Sequence, residues 1–189
     1  MLLTLRSKLR LQAGGSCRQS GFTLIELLIT IAIATLLMLV AVPSFVEFQR
    51  NARLSDAVSN FISAANTARA NAMKQGLNTY LVPNNTGTGW SSGWMVYADS
   101  NWNQAYDAAT DEVVLRHEAL SADISLSIPT ASSLTDGYLL FNGSGYPRLK
   151  NGGFGGGTIV MSNTSPRSSS IIIDPAGRVR SCKTGSTGC

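Results

Sequence analysis

Phe22 to Val42 is an unbroken run of 21 residues whose single charge is Glu26. As a helix rising about 1.5 Å per residue it spans roughly 30 Å, the thickness of a bilayer's hydrocarbon core. An ordinary secretory signal has an apolar core of about 7–15 residues ahead of a small-residue cleavage site. This run is longer, keeps a carboxylate, and leads into a helical pattern instead of ending. A charge at the centre of a membrane helix costs about 2.5–3.5 kcal/mol on insertion scales, so Glu26 calls for a partner. Gly21 precedes the run, and Arg6, Lys8, Arg10 and Arg18 lie upstream. Basic flanks stay in the cytoplasm, which places everything after Val42 outside it.

Helical periodicity continues past Pro43. Phe45, Phe48, Ala52, Val58, Phe61, Ile62, Ala65, Ala68 and Ala72 recur mostly three or four apart, with Arg50, Arg53, Asp56 and Asn60 largely between them. The spacing predicts one amphipathic helix to about Gln75, capped by Gly76, whose apolar stripe packs against a sheet. Beyond Gly76 the period falls to two. Strands are expected at Asn78–Val82, Gly93–Tyr97, Glu112–His117, Ile124–Ile128, Gly137–Phe141, Thr158–Ser162, Ser170–Ile173 and Arg178–Ser181, with Gly/Asn/Ser/Thr loops between them. The loop NGGFGGG (151–157) lacks the GK[ST] ending of a phosphate loop and no helix follows, so it reads as a hairpin. The fold class is α+β.

The full chain is basic, with 15 Lys+Arg against 11 Asp+Glu. Four of those bases lie before Phe22, so the rest of the chain is balanced. Distribution is more informative than the total. Asp99, Asp107, Asp111, Glu112, Glu118, Asp123 and Asp136 crowd the middle with Arg116 as their only base. Arg148, Lys150, Arg167, Arg178, Arg180 and Lys183 crowd the tail, with Asp174 alone against them. A positive tail suits an anionic partner or head-to-tail packing of subunits.

The stretch GFTLIELLITIAIATLLMLVAVP resembles the class III signal of type IV pilins and type II secretion pseudopilins. The resemblance implies cleavage after Gly21 by a membrane prepilin peptidase and N-methylation of Phe22. It also implies a role for Glu26 in setting the register of subunits in a helical filament. The new α-amino group of Phe22, one turn from Glu26, is the natural partner for its carboxylate. Pro43 falls where pilins carry a helix-kinking proline. The implied organisation is a leader (1–21), a transmembrane and filament-core helix (22–43), an amphipathic helix (44–76) and a β-rich domain (77–189). The implied location is the inner membrane, single-pass with a periplasmic C-terminal domain, and then the filament. Cys17 leaves with the leader. Cys182 and Cys189 remain as a pair in an oxidising compartment, which predicts a disulfide closing a short terminal loop.

GWMVYADSNWN, YLLFNGSGYP and IIIDPAGRVRSC resemble the globular domain of FimT/GspH-type minor pilins and pseudopilins. Asp174, Pro175 and Gly177 sit where a type I turn wants them. In the strand that follows, Arg178 and Arg180 share a face and Val179 points to the core. Two guanidiniums so placed suit bidentate contact with phosphate, and Lys183, Arg167, Arg148 and Lys150 extend the patch. In the FimT branch a GR-x-R ending is linked to DNA capture in natural transformation, which implies Gly177, Arg178 and Arg180 as contacts to double-stranded DNA. Pseudopilins of the GspH type also carry such endings. The arginines thus admit two readings, DNA contact or a structural and subunit contact.

Three roles follow from the resemblance: a pilus subunit that helps initiate or complete the filament, a DNA receptor, or a pseudopilin of a type II secretion machine. The partners implied are other major and minor pilins or pseudopilins. No cofactor is implied. Asp99, Asn101 and Asn103 alternate like the start of an EF-hand, but Gln104 and Thr110 replace its Gly and Glu, so a solvated loop is expected. His117 has no nucleophile or carboxylate arrangement around it in the sequence, and no enzyme signature is present. Trp94 is expected in the core. Trp90 and Trp102 fall in loops.

Overall fold

The computed structural model describes residues 21–129, 133–187 and 189. The expected leader residues Arg6, Lys8, Arg10, Cys17 and Arg18 lie outside them. The chain divides into two compact units, Met1–Val42 and Pro43–Cys189. One helix, α1 (Leu24–Gln75), contributes to both and contains Pro43.

In the first unit every described side chain is exposed. Helix α1 is long and apolar enough to cross a membrane. Thr23 caps it, its Oγ1 accepting from the Glu26 amide at 3.3 Å. Thr30 and Thr35 donate their hydroxyls back to the carbonyls of Leu27 and Ile31, at 2.8 and 2.7 Å. Hydroxyls so bonded need no water, as a lipid environment requires.

In the second unit α1 buries Leu54, Ala57, Val58, Phe61, Ala64, Ala65, Ala68 and Ala72. These are i, i+3, i+4 positions, and the alanines let strands approach the helix closely. The buried stripe starts later than the periodicity suggests: Phe45 and Phe48 are exposed, and Leu54, absent from the predicted stripe, is fully buried. The first contact of the sheets with the helix is at Asn51, whose Oδ1 accepts from Asn163 of the second sheet at 3.0 Å, and full burial begins at Leu54. Gly76, at φ +69°, ends the helix with its amide on the Ala72 carbonyl at 2.8 Å, the left-handed cap its sequence position predicts.

Among the described residues nine strands form two antiparallel sheets. The first runs β3-β2-β1-β5-β6, from β1 (Thr79–Pro83), β2 (Trp94–Ala98), β3 (Glu112–His117), β5 (Leu139–Phe141) and β6 (Pro147–Arg148). The second runs β4-β7-β8-β9, from β4 (Ile124–Ser127), β7 (Gly157–Asn163), β8 (Ser168–Ile173) and β9 (Val179–Lys183). All eight expected strands are present within one or two residues at most ends; β6 is additional. Strand β5 starts at Leu139 rather than Gly137 because Ser133–Asp136 makes a 3-10 turn that the Gly137 amide closes.

The core joins the helix stripe to Leu81, Trp94, Val96, Leu139 and Phe141 of the first sheet and Ile159, Met161, Ile171 and Ile173 of the second. Phe61 meets the edges of Trp90 and Trp94 at 5.5 and 5.1 Å. Trp90, unassigned from the sequence, is thus a core residue on the 3-10 turn Gly89–Ser92. Alternation sends Tyr80, Met95, Tyr97 and Leu140 to the opposite face of the first sheet. There, with Tyr138, they form a second buried cluster.

Candidate functional site

The turn Asp174–Gly177 joins β8 to β9 and is held at several points. The Gly177 amide donates to the Asp174 carbonyl at 2.8 Å, and the Asp174 amide to the Arg178 carbonyl at 2.9 Å. Gly177 has φ +81°, and a Cβ there would stand 2.4 Å from the Gly145 carbonyl oxygen. Only glycine fits this backbone and this approach. Arg69 of α1 donates from Nη1 to the Gly177 carbonyl at 2.9 Å and from Nη2 to that of Ala176 at 3.4 Å. No local signal marks Arg69 in the sequence; its partners lie 107 and 108 residues away.

The cations of the tail fall into four places. Arg178 stands just before β9, with 71% of its side chain exposed and its Nε on the Asp174 carboxylate at 2.9 Å. Val179 packs on the core, and Arg180, half-buried, pairs with Ile172 across the ladder. Arg167 and Lys183 line an open cleft of about 630 Å³ between the helix residues Glu47, Asn51 and Ser55 and the β8–β9 edge. Arg148 lies on β6, its guanidinium 4.6 Å from the Phe154 ring centre. Lys150 is tied elsewhere: its ammonium donates to the Gln104 carbonyl at 2.8 Å and sits 5.1 Å from the ring centre of Tyr138. Lys150 thus latches the outer tyrosine cluster to the loop after β2.

That loop is exposed from Ser100 to Tyr106, as expected, but the aspartates at its two ends are buried. Asp99 is fully buried and Asp111 nearly so. Asp99 accepts the amides of Asn103 and Gln104 at 3.2 and 3.0 Å, and Asp111 those of Ser100 and Asp107 at 3.0 and 2.8 Å. Two aspartate side chains therefore fold the loop about themselves, and Trp102 and Gln104 sit at φ +61° and +62°. Asp123 pairs with Arg53 at 3.7 Å, and Glu112 accepts from Gln75 at 3.0 Å. Much of the acidic middle thus serves internal bonds. Among the described residues no group of three His, Cys, Asp or Glu is placed to hold a metal. Burial, with Asp99 and Tyr138 adding to it, pushes the Tyr80 hydroxyl up to about 12. Tyr97 is raised by burial first, then by Tyr80, Asp99 and Asp111.

A disulfide joins Cys182 to Cys189, with Cα atoms 5.7 Å apart. It closes the chain end against β9, as the cysteine pair predicts. His117 stacks on Trp94 at 4.3 Å, a packing role.

A capped apolar helix that becomes amphipathic, packed on antiparallel sheets, defines a type IV pilin-like fold. A family model described as "Type II transport protein GspH" matches residues 57–177, and one for the prokaryotic N-terminal methylation motif matches residues 16–42. The chain belongs to the GspH family of minor pilins and pseudopilins, structural subunits and not enzymes. The type IV minor pilin FimU of Pseudomonas aeruginosa superposes with a TM-score of 0.53 at 15% identity, over 70% of this chain and 90% of that one. This supports the fold. The minor pseudopilin EpsH of Vibrio cholerae aligns at 10% identity with a TM-score of 0.48, over 71% of this chain and 99% of that one. The type IV major pilin protein PilA of Myxococcus xanthus is 46% identical over 43 residues, 23% of this chain and 20% of that protein. The chain thus spans about a fifth of that relative's length.

Proposed function

We propose that this chain is a minor pilin of a type IV pilus, low in copy and near the tip, that contacts DNA non-specifically through its C-terminal hairpin during uptake for natural transformation. Prepilin peptidase cuts it after Gly21 and Phe22 is N-methylated. Glu26 then sets its register among neighbouring pilins. The observation that carries the DNA reading is the turn Asp174–Gly177, fixed from the helix and from Gly145, with Arg178 exposed at its end. A guanidinium whose Nε is already bonded keeps its terminal nitrogens for phosphate oxygens. Few such contacts give weak binding that falls steeply with salt.

Full-length protein in detergent, titrated with labelled duplex DNA across a salt series, tests this. Wild type should bind less as salt rises, and the folded Arg178→Ala/Arg180→Ala protein should lose binding. A folded wild type that binds no DNA at low salt removes the receptor role.

The description of the matched family favours a second reading, a minor pseudopilin of a type II secretion system. Deleting the gene separates the two: loss of pili supports the first, and loss of exoprotein export with pili intact supports the second.

A further inference from the structure

We propose that the DNA-contacting surface also stacks on bases, and takes the unpaired bases of a single strand in preference to a duplex. The inference rests on the reading that the hairpin contacts DNA.

Two loops meet back to back at the turn. A Cβ on Gly177 would stand 2.4 Å from the Gly145 carbonyl oxygen, so Tyr146 and Arg178 follow glycines whose backbones are in close contact. Strand β6 follows Tyr146. Pro147 is buried, while Tyr146 and Arg148 flank it on the more exposed side. Arg148 forms a bridge with Phe154 of the glycine-rich loop, and its guanidinium lies 4.6 Å from that ring's centre. The same loop reaches the turn, since a Cβ on Gly156 would stand 2.7 Å from the Ile173 carbonyl oxygen.

Phe154 is 69% exposed and Tyr146 46% exposed. Neither ring belongs to a buried cluster, and glycines beside Phe154 give it no side-chain cover. The backbone approaches thus bring together segments that carry two exposed aromatic rings and two arginines, one of them, Arg148, over the Phe154 ring. A duplex has its base faces stacked inside and presents phosphate. A single strand presents phosphate and open base faces together, and aromatic rings and arginine planes take base faces of any sequence.

The test uses full-length protein in detergent with a labelled oligothymidine strand and a duplex of the same length, at matched salt. Wild type should hold the single strand about tenfold more tightly, the scale of one base–aromatic stack. Phe154→Ala and Tyr146→Ala should erase that preference, leaving duplex affinity and salt slope unchanged; Phe154→Tyr should retain it. Both rings are exposed, and a thermal melt establishes that the variants fold. Equal affinity of wild type for strand and duplex, or alanine variants that keep the preference, overturns this inference while leaving salt-sensitive DNA contact standing. A folded wild type that binds neither DNA overturns the underlying reading and this inference together.

Discussion

Arg178 Nε donates to the Asp174 carboxylate at 2.9 Å across the turn between β8 and β9. The GRVR segment therefore holds one of its cations against a carboxylate four residues earlier. Arg178 is largely exposed and Asp174 partly so, and bridges open to solvent add little to stability. Its effect is on charge and direction: the carboxylate cancels one positive charge and aims the rest of the guanidinium outward.

Asp174→Asn removes that cancellation. Duplex DNA should bind several-fold more tightly at low salt, and the gain should fade as salt rises. Fluorescence anisotropy over a salt series reads both effects. Unchanged affinity would show that Arg178 does not meet DNA.

Gly177→Ala should damage the fold before it touches any ligand. The substitution asks alanine to hold φ +81° and sets a methyl 2.4 Å from the Gly145 carbonyl oxygen. Left-handed strain and overpacking each cost about 1–3 kcal/mol. A loss of about 2 kcal/mol or more in urea unfolding is expected. A variant as stable as wild type would contradict the close approach of the two glycines.

Alkaline pH should destabilise the domain through its outer tyrosines. Tyr80 ionises near 10 when unfolded and only at about 12 when folded. Between these values the unfolded chain releases a proton that the folded one keeps, so stability is whole below pH 10 and declines as pH rises toward 12. Tyr97 shifts the same way. Urea midpoints against pH should fall across that window, and less steeply in Tyr80→Phe. A flat profile would mean that Tyr80 is accessible to water.

Replacing Cys182 and Cys189 by serine should cost about 2 kcal/mol, the chain-entropy scale for a short loop. Chemical unfolding with and without reductant checks it: wild type should lose the same amount when reduced, and the double variant nothing.

Much of this architecture was legible in the chain. Period-two segments marked eight strands, and the one missed, Pro147–Arg148, is two residues long, too short for alternation to register. The helix stripe was legible in period but not in extent. Phe45 and Phe48 repeat like core residues, yet the sheets do not reach them, and no local pattern records where a distant sheet stops. Nothing local marks Asp99 or Asp111 for burial. Their burial depends on backbone amides that a carboxylate gathers only once the loop has closed. The arginines of the tail were visible, but their separation was not. Lys150 goes to the tyrosine cluster and Arg167 with Lys183 to the α1 cleft because strand order, not sequence proximity, distributes them.

The bonds from Arg69 to Ala176 and Gly177 have a mechanical meaning. Strand β9 is the edge of its sheet, so tension along it would tend to unzip the ladder one rung at a time. Tension applied at the turn instead enters α1 through the Arg69 guanidinium. On the proposed DNA reading, the bound strand is tethered to the helical spine, and a subunit hauled inward by that spine would carry it without peeling its own sheet.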